Sequence, residues 1–254
     1  MTEYAAGTPS WVELSTTDAD GSHAFYTALF GWTATEGTEE FGGYRNFLDG
    51  GQMVGGLNPM GEFPAWTTYV ATDDADATTA KVSENGGTVL APPMDVGDLG
   101  RMAIYTDPSG AMFGVWQAGT HKGAGKVNQP VSLVWNDLNT RDLDGAKAFY
   151  SAVFGWDPVE QDMGGPGPYV VWELGGRGIG GAVGLPEQVP ADMPNRWVIW
   201  FAVTDRDAVV AKAGELGATV LESALDVPGV GKMGVLNDPQ GAFFGVLEAE
   251  SADE

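Results

Sequence analysis

Trp11-Val12-Glu13-Leu14, then Asp18, Phe25-Tyr26 and Leu29-Phe30-Gly31-Trp32, form the stretch that decides the reading of this chain. It returns as Trp135-Asn136-Asp137-Leu138, Asp142, Phe149-Tyr150 and Val153-Phe154-Gly155-Trp156, at an offset of 124 residues (135 − 11). Further on one loop lengthens and the match resumes at an offset of 131 (197 − 66), pairing Trp66 with Trp197, Asp74 with Asp205 and Asp95-Val96 with Asp226-Val227. It closes on Asp107-Pro108-Ser109-Gly110-Ala111 against Asp238-Pro239-Gln240-Gly241-Ala242. Solenoid periods are much shorter, so a repeat of this length means two homologous domains. We place them at 1–118 and 131–248, with a glycine-rich linker at 119–130 and a short acidic tail at 249–254. The length suits two domains of ordinary size, each with enough apolar residues for a core.

Within each half the elements follow from local chemistry. Trp11–Thr16 alternates as a strand. Asp18 caps a helix whose apolar face carries Ala24, Phe25, Ala28 and Leu29, and Gly31 ends it. Asp49-Gly50-Gly51 turns a hairpin. Trp66–Thr72 alternates again, Asp74 opens a second helix, and Gly86-Gly87 closes it. Thr88–Leu90 reads as a short strand. Two further strands flank the Asp107-Pro108-Ser109-Gly110 turn. Each half is therefore βαβββ followed by βαβββ, an α+β class.

Composition narrows the function. The chain has no cysteine, which excludes thiolate chemistry, zinc-thiolate sites and disulfides. With 35 acids against 12 bases its formal charge is −23, a surface that repels phosphate backbones and anionic membranes. No nucleic-acid or membrane partner is expected. The start, Met1-Thr2-Glu3-Tyr4, shows no basic and apolar leader, so a cytoplasmic location is the expectation. The glycine-rich segments lack the phosphate-loop lysine and the dinucleotide fingerprint.

Asp-x6-Phe-Tyr-x3-Phe-Gly-Trp, a later Asp at a second helix and Asp-Pro-x-Gly-Ala together resemble the vicinal oxygen chelate superfamily. That group includes glyoxalase I, extradiol dioxygenases, methylmalonyl-CoA epimerase and the bleomycin-resistance proteins. The resemblance covers nearly the whole chain, once per half. Trp-x-Glu-Leu, Asp95–Met102 and Asp-Pro-Ser-Gly are similar to the tandem two-domain actinobacterial subgroup labelled glyoxalase-like or hydroxylase. It implies curved mixed sheets forming cup-shaped clefts, two βαβββ modules per domain. It also implies a pseudo-twofold monomer, because the chain holds what a one-domain relative gains by dimerising.

Most enzymes of that superfamily hold a divalent metal in the cup through His and Glu. The resemblance places the four ligand positions at Trp11 and Trp135, around Gly55-Gly56 and Gly180-Gly181, at Thr67 and Val198, and at Gly114 and Gly245. None offers a histidine or carboxylate. Only His23 and His121 exist, and both are expected at the surface. No metal and no cofactor are therefore expected, and a metal-dependent glyoxalase or dioxygenase is not.

Strand alternation chooses what lines the cup. Val12 and Leu14 face the helices, so Trp11, Glu13 and Ser15 face the cleft, as do Trp135, Asp137 and Asn139. Tyr69 and Trp200, and Met112 and Trp116 against Phe243 and Leu247, face it too. Trp11, Trp135, Tyr69, Trp116, Trp200, Met112 and Phe243 are thus the expected ligand-binding residues. Glu13 and Asp137 are the candidate catalytic carboxylates. The expectation is a metal-independent protein that binds a hydrophobic or aromatic metabolite, with the cup containing Trp116 favoured, whether the cups form across the halves (Trp135 and Asp137 with Tyr69, Met112 and Trp116; Trp11 and Glu13 with Trp200 and Phe243) or each within one half. The alternative is a metal-free lyase, isomerase or hydroxylase-like enzyme of secondary metabolism or aldehyde detoxification, with a cleft carboxylate as general base.

Overall fold

The computed structural model describes residues 4–164, 167–190 and 193–250. The tail residues 251–254 lie outside the described residues. Half one contains β1 (Pro9–Ser15), α1 (Ala19–Phe30), β2 (Thr33–Ala34), β3 (Arg45–Asp49), β4 (Gln52–Asn58), β5 (Ala65–Ala71), α2 (Ala75–Glu84), β6 (Thr88–Val96), β7 (Gly100–Thr106) and β8 (Met112–Ala118). Half two contains β9 (Leu133–Thr140), α3 (Leu143–Phe154), β10 (Asp157–Gln161), β11 (Tyr169–Leu174), β12 (Arg177–Gly184), β13 (Arg196–Ala202), α4 (Arg206–Glu215), β14 (Thr219–Val227), β15 (Gly231–Asn237) and β16 (Phe243–Ala249). Each half forms one eight-stranded mixed sheet, ordered β2-β3-β4-β1-β5-β8-β7-β6 and β10-β11-β12-β9-β13-β16-β15-β14. The fold is α+β, built from βαβββ modules.

The helix starts are set by side-chain caps. Asp18 accepts from the Gly21 amide at 2.9 Å, and Asp142 accepts from the Gly145 amide at 2.8 Å. Asp74 and Asp205 do the same for Ala77 and Ala208. Gly31 and Gly155 end the long helices at φ +77° and +73°, a conformation that costs glycine no Cβ clash. β6 runs to Val96, well past the short strand expected from Thr88 to Leu90. Pro92 and Pro93 lie within it, and the register shifts between Val89 and Ala91 and again between Ala91 and Met94. An edge strand tolerates prolines because its outer amides face no partner.

The chain clusters into two compact units that each take one module from each half. The first comprises Met1–Trp11, Thr68–Gly123 and Asn136–Val198; the second comprises Val12–Thr67, Ala124–Trp135 and Ile199–Glu254. In the second unit Phe25, Tyr26, Phe30, Trp32, Phe47 and Trp66 of half one share a core with Phe201, Phe244 and Val246 of half two. The Tyr26 and Phe244 rings meet at 5.7 Å, and those of Phe30 and Phe201 at 5.5 Å. In the first unit Tyr105, Phe113 and Val115 of half one pack with Phe149, Tyr150, Trp156, Trp172 and Trp197 of half two.

The repeated Phe-Tyr and Asp-Pro motifs meet in these cores. Tyr26 Oη donates to Asp238 at 3.0 Å and accepts from Trp66 Nε1 at 2.9 Å. Tyr150 Oη likewise donates to Asp107 at 3.1 Å and accepts from Trp197 Nε1 at 2.9 Å. The second oxygen of Asp238 holds the amides of Gln240, Gly241 and Ala242, so the aspartate closes the turn and anchors the tyrosine at once. Burial, with the carboxylate beside it, pushes both tyrosine hydroxyls well up from their ordinary value.

One pair of repeat positions breaks the apolar rule. Val12 and Ile199 are fully buried in the second unit's core. Their repeat partners, Asn136 and Thr68, are also buried, yet among the described residues Asn136 Oδ1 and Thr68 Oγ1 find no hydrogen-bond partner. An unpaired buried hydroxyl costs about 1–3 kcal/mol. Thr68→Val keeps the shape and is expected to stabilise the protein by about 1 kcal/mol, raising Tm by ~2–4 °C in a chain of this size. An unchanged or lower calorimetric Tm would show that the hydroxyl is satisfied.

Candidate functional site

Alternation along β1 sends Val12 and Leu14 into the aromatic core and turns Trp11 and Glu13 to the opposite face of the sheet. In the first unit Trp11 is 3% exposed, and its ring meets that of His121 edge-on at 4.6 Å. The Trp116 ring lies 5.4 Å from the same imidazole, and its Nε1 donates to the His121 carbonyl at 2.9 Å. His121 is therefore half-buried among tryptophans, where the sequence led to the expectation of a surface position. Its glycine-rich surroundings carry no periodicity to reveal this. Burial pushes the imidazole down to about 4, so it is neutral at pH 7.

The segment that carries His121 is pinned. Gly119 and His121 donate their amides to the Leu99 carbonyl at 2.9 and 3.0 Å, and Thr120 donates to that of Asp98 at 2.9 Å. Gly123 adopts φ +103°, and a Cβ there would come within 2.5 Å of the Ser10 carbonyl, so glycine is required. This stretch of the expected linker is a fixed strap. Beside it lies a cavity of about 540 Å³ bordered by Tyr4, Ser10, Thr72, Asp73, Trp116 and Lys122, all residues of the first unit. That volume suits a drug-sized molecule. Burial pushes the Tyr4 phenol up to about 12, so it stays protonated there at neutral pH.

Asp137, also in the first unit, is 8% exposed and accepts a 2.5 Å hydrogen bond from Tyr169 Oη. Tyr169 was not singled out from the sequence. Its position beside Asp137 follows from register, since Asp137 pairs with Gly181 and Tyr169 with Val183, two residues on. In the second unit Glu13 is 9% exposed and accepts from Asn58 Nδ2 at 3.2 Å. Of the expected ligand-binding residues, Trp11, Tyr69, Met112 and Trp116 belong to the first unit, and Trp135, Trp200 and Phe243 to the second. Tyr69 and Trp200 are buried; Met112, Trp135 and Phe243 are half-buried.

Comparison with known proteins identifies the scaffold. Residues 8–115 match the model described as Glyoxalase/Bleomycin resistance protein/Dioxygenase superfamily, and residues 134–247 match that of a Glyoxalase-like domain. The protein named "Putative glyoxylase CFP32" of Mycobacterium tuberculosis is 43% identical over 97% of this chain and 96% of its own length. The chain belongs to this superfamily. Another relative, "Anthracycline biosynthesis protein DnrV" of Streptomyces peucetius, is 39% identical over 98% of this chain and 95% of its own. Solved structures sharing the fold include the Mn(II)-bound glyoxalase from Novosphingobium aromaticivorans, with a TM-score of 0.65, 16% identity, and coverage of 96% of this chain and 83% of that one. A variant of homoprotocatechuate 2,3-dioxygenase from B. fuscum gives a TM-score of 0.67 at 15% identity, covering 96% and 72%.

A metal of the kind that superfamily enzymes carry does not fit the residues present. Tyr69 pairs with Gly114 on the neighbouring strand, and a Cβ at Gly114 would lie 2.5 Å from two carbons of the Tyr69 ring. Trp200 pairs with Gly245 and covers it in the same way. At Gly181 a Cβ would overlap the Tyr169 hydroxyl and the Asp137 carboxylate. Three of the positions that the resemblance assigns to donors, Gly114, Gly245 and Gly181, are thus covered by rings and by a hydrogen-bonded pair. Among the described residues no three His, Asp or Glu side chains converge to hold a cation. No helix among them is long and apolar enough to cross a membrane.

The depressed imidazole of His121 has a consequence for stability. A base whose folded value lies below its unfolded value of about 6.5 is protonated first in the unfolded chain. Its contribution to stability is therefore fully present above about pH 6.5 and is lost as pH falls toward 4. The expected loss between pH 7 and 4.5 is on the order of 2 kcal/mol. Urea midpoints of the native protein and of His121→Gln at the two pH values isolate it. Equal pH slopes for the two proteins would mean that the imidazole is hydrated.

Proposed function

We propose that this superfamily member is a metal-independent binding protein for a planar aromatic or hydrophobic small molecule, and that the first unit holds the site. The observation that carries this reading is the Trp11–His121–Trp116 cluster, whose Trp116 borders the 540 Å³ cavity. Indole faces and a neutral imidazole offer polarisable surface at little entropic cost. The rings lying over Gly114 and Gly245 support it, because they put aromatic surface at positions that the resemblance assigns to metal donors. The relative named for anthracycline biosynthesis points the same way.

The test is binding of 2-naphthamide, a neutral planar probe, followed by calorimetry and tryptophan quenching. Trp11→Phe and Trp116→Phe are expected to weaken binding by about 1 kcal/mol each. Trp135→Phe, in the other unit, should change it by less than about 0.5 kcal/mol. Dialysis against a chelator should leave affinity unaltered. Affinity indifferent to both first-unit changes, or lost with the chelator, would overturn the reading.

A second reading is favoured by the Asp137–Tyr169 pair. A buried carboxylate held by a phenol can accept a proton from a bound substrate, as in a metal-free lyase or isomerase. Turnover of an aromatic or aldehyde-derived substrate that is lost in Asp137→Asn, with binding retained, would select it over simple sequestration.

A further inference from the structure

We propose that the cavity of the first unit selects aromatic ligands bearing an anionic group, and that the Lys122 ammonium is the counter-charge. The inference rests on the aromatic-ligand reading and adds the charge of the ligand to it.

The chain has 12 basic residues against 35 acidic ones, so a cation has many carboxylates to choose from. Six of the twelve, Arg45, Arg101, Lys126, Lys147, Arg206 and Lys232, take acidic partners, while Arg141 and Lys212 donate to backbone carbonyls instead. Lys122 borders the cavity half-buried, and among the described residues it enters no ion pair and makes no side-chain hydrogen bond. Its backbone is not free to wander, because the strap is held at Leu99 on one side and seated against Ser10 at Gly123 on the other. An ammonium carried on a held backbone, at a cavity that an indole also borders, is a recognition element for an anion on a flat ring system.

The other charges at the cavity agree with this. His121 is neutral at pH 7 and Tyr4 stays protonated, so neither competes as cation or anion. Asp73 opposes an anion, but it is exposed at the rim, where water and salt screen it. Half two lacks the device. At the offset of 131 the partner of Trp116 is Leu247, so half two lacks the indole.

The experiment compares 2-naphthoate with its neutral isostere 2-naphthamide on the full-length protein by calorimetry. Despite the net charge of −23, naphthoate is expected to bind about tenfold more tightly, with the preference shrinking as salt rises. Lys122→Gln should bring the ratio of the two affinities close to one, Lys122→Arg should restore it, and Asp73→Asn should enlarge it. Equal losses for both probes in Lys122→Gln would show that the lysine only packs, and would overturn the inference. So would a native protein that binds naphthamide as tightly as naphthoate, although the aromatic-ligand reading would then survive. Binding of neither probe would overturn both.

Discussion

Residues 1–118 expressed alone are expected to yield no stable monomer. The helix α1 buries Phe25, Tyr26, Leu29 and Phe30, and its core partners include Phe201, Val203, Phe244 and Val246 from half two. Cutting the chain between the halves removes those partners and leaves the Tyr26 hydroxyl without Asp238. Each large apolar side chain returned to water forfeits about 1.5–3 kcal/mol. Four or five such losses match the whole stability of an ordinary domain, roughly 5–15 kcal/mol. The same cut strips Phe113 and Val115 of Phe149 and Tyr150. The fragment should show weak near-ultraviolet dichroism and no cooperative urea transition as a monomer. It should either self-associate, one copy supplying what half two supplied, or regain order on mixing with residues 124–254. A monomeric fragment with a sharp transition, shown by sedimentation, would mean that each half closes its own core.

The second large effect concerns Asp107. One carboxylate oxygen accepts the amides of Ser109 and Ala111 at 2.8 and 3.0 Å and the Ser109 hydroxyl at 2.7 Å. The other accepts Tyr150 Oη, which in turn accepts Trp197 Nε1. Asp107→Ala leaves several buried donors without acceptors at once. Hydrogen bonds to a charged group are worth about 1.5–3 kcal/mol each, and orphaned donors cost a similar amount. The expected destabilisation is about 3 kcal/mol or more, a fall in Tm of roughly 6–12 °C. Tyr150→Phe should cost less, because the turn keeps its amide acceptor and only the Tyr150 links are lost. Asp238→Ala and Tyr26→Phe should reproduce the same order in the other unit. Equal losses for the aspartate and tyrosine variants would show that the turn, not the buried network, is inert.

These two predictions also mark where sequence reading succeeded and where it stopped. Asp18, Asp74, Asp142 and Asp205 stood out as helix starts because a cap is a contact within three residues, and all four accept the expected amide. The assignment of Trp11 and Glu13 to one face and Val12 and Leu14 to the other was legible because strand periodicity is local. β6 was read too short, since prolines forbid an inner strand but not an edge, and edge status depends on the neighbours.

The sequence by itself determined the repeat, the βαβββ order and the faces of the strands, which are set by residue type and local periodicity; that the donor positions carry no histidine or carboxylate followed from the resemblance. Only the tertiary structure decided which module shares a core with which, because side chains such as Tyr26 and Phe244 meet across more than two hundred positions of chain. It also decided that Tyr69 and Trp200 fill the space above Gly114 and Gly245, since that depends on register between strands. Above all it decided the place of His121. A histidine in a glycine-rich stretch has no periodic signal, and it is the strap's amides on Leu99 that bring its ring between Trp11 and Trp116.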